Sequence, residues 1–206
     1  MLDRLLAALT ETRRRTIAAV GPLSQRQLDF APRAGRWSVG EIADHVTISE
    51  TIYRDEMARL VALARDGRRP YLRRTFRDVN VAPMFLPDLL LSMMETPMGI
   101  MSRFIPTSVR AFLTEYPVVP VRNPDIATPR RGVQAAALVD GLARGLEQTR
   151  TLIAANADLD LSGMISEHPL TGACAIPDIL HFMVLHERRH QGQMERVRTD
   201  SRFPPS

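Results

Sequence analysis

Lysine is missing from this sequence altogether. All 27 basic residues are arginine, set against 23 acidic ones, for a formal charge of only +4. The basic character therefore reflects the high arginine pKa more than an excess of cations. Acidic and basic residues are interspersed, so the electrostatic footprint of a nucleic-acid or membrane-surface binder is not there. Cysteine occurs once, at Cys174, which excludes an internal disulfide and a cysteine zinc cluster. Aromatics are scarce at 5%, while aliphatics and methionine abound, a balance that suits packed helices better than a β-sandwich. No apolar run approaches a membrane span, and nothing at the N-terminus reads as a signal peptide. A cytoplasmic protein with no membrane partner is expected. At 206 residues and 45% hydrophobic content, the chain is expected to be a single domain (1–206) with a core of ordinary size.

What is present is helical periodicity. Leu2, Leu5, Leu6, Leu9, Ile17 and Val20 recur near a 3.6 period and predict a first helix over 2–20, stopped by Gly21-Pro22. Arg13, Arg14 and Arg15 in its C-terminal half read as a solvated face. Residues 24–28 suit a short helical turn. A second long helix is expected over about 38–66: Ser38 is a good N-cap, Glu41 three residues later completes a capping box, and Asp66-Gly67 ends the run. A third is expected over 131–156, where Gly141 and Gly145 weaken the helix but permit close packing. A loop is expected over 157–175, and a fourth long helix over 176–199, opening on Pro177.

Between the second and third long helices, about 68–130, prolines punctuate a Met-rich stretch with short helices expected at 85–95, 97–105 and 107–115. This crossover is long enough to carry the chain back along a bundle, so that the second and third long helices run parallel. Its methionines are expected to cover core, to form an oligomer contact or to line the mouth of a pocket. A homodimer is expected.

The fourth helix carries the most informative residues. Apolar positions Leu180, Met183, Val184, Met194 and Val197 mark one buried face, and His186 and His190 interrupt it four residues apart. At that spacing the Cβ atoms lie about 6 Å apart, close enough for both imidazoles to grip one ion. In the second helix, His45 sits on the inner stripe Ile42, Val46, Ser49, Ile52, Tyr53, Met57, Leu60 and Val61. Alone it would read as a hydrogen-bonded core histidine. With the His186/His190 pair it becomes the third ligand, because bundles build metal sites from facing helices. His168 is a loop histidine with nothing to orient it, and His181 is rotated away from the ligand face; neither is included.

His186-Glu187-Arg188-Arg189-His190 also matches the H-E-x-x-H pattern of zinc proteases. That chemistry needs a third ligand downstream, and the sixteen residues after His190 contain no histidine. Arg196 stands where the longer metzincin pattern requires one.

A different arrangement fits better. Trp37-Ser38-Val39-Gly40-Glu41-Ile42-Ala43-Asp44-His45 resembles the W-S-x-x-E-x-x-x-H entry of DinB-like (YfiT-like) four-helix-bundle proteins. His186-x-x-x-His190-x-Gly192-Gln193 is similar to the closing H-x-x-x-H-x-G-Q of the same family. The resemblance covers nearly the whole chain; the long proline-rich crossover departs from it. It implies an all-α, up-down-down-up four-helix bundle in which His45, His186 and His190 hold one divalent metal ion, zinc first, with nickel or iron also suited to imidazole. Three neutral imidazoles leave an open position, the pattern of a catalytic rather than a closed structural site. Relatives in that family include S-transferases that use bacillithiol or mycothiol, maleylpyruvate isomerases and many uncharacterised proteins classed as hydrolases. The expected function is accordingly a metal-dependent small-molecule hydrolase or an S-transferase using a low-molecular-weight thiol. The alternative is a non-catalytic metal-binding stress-response or interaction protein. Glu187 is a candidate general base, although its offset of about 100° from His186 equally points it at a neighbouring helix. Gln193 and Asp44 are candidates to orient the ligand imidazoles. Glu41 is consumed by the capping box, and Trp37 is expected either over the site mouth or as a staple of the helix start.

Overall fold

Capping chemistry fixes where the helices begin. The Ser38 hydroxyl accepts from the Glu41 N–H at 3.2 Å, and the Glu41 carboxylate accepts from the Ser38 N–H at 2.9 Å. In the computed structural model, which describes residues 1–74, 127–168 and 172–205, this box opens helix α3 (Val39–Arg65). It ends where Gly67, at φ +68°, takes a left-handed conformation and the Arg68 N–H returns to the Leu63 carbonyl. Helix α1 (Leu2–Val20) and the short α2 (Gln25–Leu28) precede it; α4 (Ala135–Ala154) and α5 (Ile176–Arg198) follow. Helix α4 begins later than the 131 expected from its pattern, because Gly132 sits at φ +74° and cannot be part of the helix. Pro177 lies in the first turn of α5, where Asp178 accepts the Ala175 N–H at 2.9 Å.

The direction of each long helix follows from which residues share a core. One cluster joins Leu9 of α1, Met57 and Leu60 of α3, Ile153 of α4, and Ile176 and Leu180 of α5. The other joins Val20 of α1, Ile42 and Val46 of α3, Leu138 and Leu142 of α4, and Met194 and Val197 of α5. Running from the first cluster to the second, α1 and α5 go up while α3 and α4 go down. The order is up-down-down-up, and α3 and α4 are parallel, which the long crossover between them permits. Helix α5 packs on α1 and α3, and α4 packs on the same two from the other side.

A small sheet departs from the expected all-helical chain. Strand β1 (Tyr71–Arg73) pairs in parallel with β2 (Ile165–His168), which pairs antiparallel with β3 (Gly172–Ala175). Part of the stretch expected as a loop over 157–175 is thus a hairpin leading directly into α5. Strands of three and four residues carry too little alternation to register as a period. The helical bundle stands, with the sheet as an addition at one end. The short helices expected at 85–95, 97–105 and 107–115 lie outside the described residues. Among the described residues no helix is long and apolar enough to cross a membrane.

Candidate metal centre

His45 on the second helical turn of α3 and His186 and His190 on α5 come together between the two helices. One ring nitrogen from each lies within 4.8 Å of the others. His186 Nε2 and His190 Nε2 are 3.1 Å apart. Tetrahedral ligation at about 2.1 Å sets donor nitrogens about 3.4 Å apart, so the α5 pair stands close to ligand spacing.

The hydrogen bonds select which nitrogen each ring presents. His45 Nδ1–H donates to the Ala127 carbonyl at 2.8 Å, leaving its Nε2 lone pair directed inward, where the Ser49 hydroxyl donates to it at 3.3 Å. His190 Nδ1–H donates to Gln193 Oε1 at 2.8 Å, so its Nε2 is likewise an acceptor. It receives the Nε2–H of His186. As a ligand, His186 would carry its proton on Nδ1 instead, whereas His45 and His190 are already in the ligand tautomer. Aromatic rings fix the imidazole planes. Trp37 lies 4.7 Å from the His45 ring, and Phe182 stacks on His186 at 5.8 Å and 19°.

The charge state of the three rings favours ligation. Burial is the chief cause lowering the pKa of all three histidines, reinforced for His190 by His45 and Arg189 and for His186 by His190. His190 is brought down to about 3. All three are neutral imidazoles at neutral pH, the form that binds metal. Two nearly buried rings with inward-facing Nε2 lone pairs and backing partners, His45 and His190, beside the half-buried His186, whose Nε2 becomes a donor atom once its proton moves to Nδ1, fit a divalent ion.

Asp44 supports this arrangement at one remove. It is buried and accepts from the Arg130 backbone N–H at 2.7 Å and from its guanidinium at 2.7 Å. That latch holds the segment whose Ala127 carbonyl reaches His45. Gln193 contacts a ligand ring directly. The Ala127 carbonyl has no side-chain signature and was not foreseeable; Ser49 was visible only as a member of the inner stripe.

Glu187 is placed differently from a general base. Its carboxylate is 2% exposed and faces α1, where Arg13 donates to Oε1 at 2.9 Å and to Oε2 at 3.0 Å, and Thr16 donates to Oε1 at 2.6 Å. The 100° between successive helical positions turns it away from the histidine face. Arg13 also corrects the expected solvated arginine face. Arg14 and Arg15 are exposed and pair with Glu11, but Arg13 is 1% exposed. Arg13 additionally donates to Glu50 Oε2 at 2.6 Å and to the Leu142 carbonyl, and Thr149 donates to Glu50 Oε1 at 2.9 Å. One buried cation thereby ties all four long helices together. Burial alone would lower the Arg13 pKa; the carboxylates of Glu187 and Glu50 outweigh it and raise it.

No curated protein and no solved structure matches the chain. A family model does match, over residues 8–194, and its span takes in the latched His45, the α5 pair and its Gln193 partner. The chain belongs to the DinB superfamily.

Proposed function

We propose that the protein is a metal-dependent enzyme acting on a small molecule, either as a hydrolase or as an S-transferase that uses a low-molecular-weight thiol. The observation that carries this reading is the convergence of His45, His186 and His190 as neutral imidazoles, with the Nε2 lone pairs of His45 and His190 held inward and no fourth protein ligand among the described residues. A divalent ion there, zinc in this reading, would supply Lewis acidity and a site at which water or a thiol loses its proton readily. The chain's own residues orient and exclude. The Ala127 carbonyl and Gln193 hold two ligand rings, Trp37 and Phe182 wall the site, and Ser49 offers a hydroxyl at its edge.

Glu187 is not the base in this reading, because Arg13 and Thr16 occupy both its oxygens. With that carboxylate engaged elsewhere, the thiol-transfer branch is favoured, since a thiol deprotonates on metal ligation without a carboxylate to help. The test is an activity panel on metal-loaded protein, comparing thiol conjugation of electrophiles with ester, amide and lactone hydrolysis. Activity in one arm that disappears in His45→Ala, with helical content intact, selects the branch. Silence in both arms despite a bound ion leaves the non-catalytic metal-binding reading.

A further inference from the structure

Arg189 lies three residues beyond His186 and immediately before His190 on α5, on the flank of the histidine pair opposite to Glu187. It is half-buried, and its charge is felt by His45, His186, His190 and Tyr53. Among the described residues no carboxylate pairs with it and no hydrogen bond engages it. That is unusual here, because the neighbouring acids are all committed. Asp44 is held by Arg130, Glu187 by Arg13, and Glu56, whose charge also reaches Tyr53, faces Arg74 at 4.0 Å. Tyr53 itself, edge-on to His186 at 6.2 Å, stays a neutral phenol because burial raises its pKa. A guanidinium taken partly out of water without a counter-charge has lost hydration and gained nothing in return, unless a ligand completes it. Three neutral imidazoles would also leave the double charge of an ion uncompensated, so the site as a whole is cationic.

We infer that Arg189 is the anion-recognition residue of the site and that the substrate carries a carboxylate group, bound by this guanidinium while the reacting end of the molecule lies at the three-histidine centre. This inference rests on the metal-centre reading above. A single planar guanidinium with two parallel donors matches one carboxylate, whereas a phosphate dianion is ordinarily met by more than one cation. Arg196, two turns from Arg189 on the same helix, is exposed and adds only diffuse positive potential.

The test uses cobalt-loaded protein, in which thiol ligation is read from the sulfur-to-metal absorption band rather than from turnover. The probes are 3-mercaptopropionate and its uncharged amide, which differ only in the carboxylate. Wild type is expected to bind the acid about 10- to 100-fold more tightly than the amide, the range for a charge-assisted hydrogen bond. In Arg189→Gln the preference falls to about twofold or less, with amide affinity unchanged, while Arg196→Gln retains the preference. Absence of a preference in wild type, its survival in Arg189→Gln, or an equal loss in Arg196→Gln overturns the inference. If wild type binds no cobalt, the metal-centre reading fails separately. Calorimetry of metal-free protein with 3-mercaptopropionate then decides the anion site: binding that Arg189→Gln abolishes supports it, and no binding by wild type overturns it.

Discussion

Replacing Arg13 by methionine is the most informative perturbation of the scaffold. Arg13 is 1% exposed and donates to Glu50 on α3, to the Leu142 carbonyl on α4 and to Glu187 on α5, so its removal strands two carboxylates that are 3% and 2% exposed. Methionine fills much of the arginine stem's volume, and the loss is therefore mainly electrostatic. Breaking one partner out of a buried ionic network costs about 3–5 kcal/mol. For a chain of this size each kcal/mol moves the melting temperature by roughly 2–4 °C, so a fall of roughly 6–20 °C is expected by calorimetry. The triple variant Arg13→Met, Glu50→Gln, Glu187→Gln should recover most of that loss, because no buried charge is left uncompensated. A deficit below about 1 kcal/mol in Arg13→Met, or a triple variant no better than the single one, would refute the view that the charges are mutually dependent.

Four further outcomes follow from local geometry and burial. A Cβ on Gly145 would stand 2.6 Å from Glu50 Oε2, an atom held by Arg13, so Gly145→Ala should destabilise by about 1–3 kcal/mol in urea unfolding despite its better helix propensity. Gly141→Ala meets only the Thr47 side chain, Cγ2 at 3.4 Å and Oγ1 at 3.7 Å, and should be neutral or stabilising by up to about 1 kcal/mol. Burial lowers the pKa of His45, His186 and His190, so below the ordinary value of 6.5 the unfolded chain binds more protons than the folded one. Metal-free protein should therefore be at its plateau above pH 6.5 and lose stability as pH falls below it, with His190 contributing down to about pH 3 at no more than about 1.4 kcal/mol per pH unit. His190→Gln should flatten that slope; an unchanged slope contradicts the assignment. Asp44→Ala releases the Arg130 latch behind the His45–Ala127 bond and should weaken metal binding about 10- to 100-fold by competition with a chelator.

The bundle was legible because its signals are local. The Ser38–Glu41 capping box, the stripe through His45 and the four-residue step from His186 to His190 each lie within a few turns of one helix. The histidine trio was legible because two faces carrying polar residues amid apolar ones had to meet somewhere. Arg13 was not, since three consecutive arginines span about 200° of helix and the sequence does not say which of them turns inward. The partner of Glu187 was hidden for the same reason: Arg13 lies far away along the chain, and only tertiary packing brings them together. The sheet was illegible because β1 pairs with β2 across some ninety residues of intervening chain, Tyr71 opposite Ile165, through main-chain bonds that leave little mark on composition.

The central claim is tested most directly by metal analysis of protein purified without a histidine tag, paired with X-ray absorption at the bound metal's edge. The account predicts one divalent ion per chain, with about three imidazole nitrogens at about 2.1 Å, and its loss in the His186→Ala/His190→Ala double variant. Wild-type protein that, after incubation with zinc, nickel or iron salts and removal of the excess, retains no more metal than that variant would contradict it.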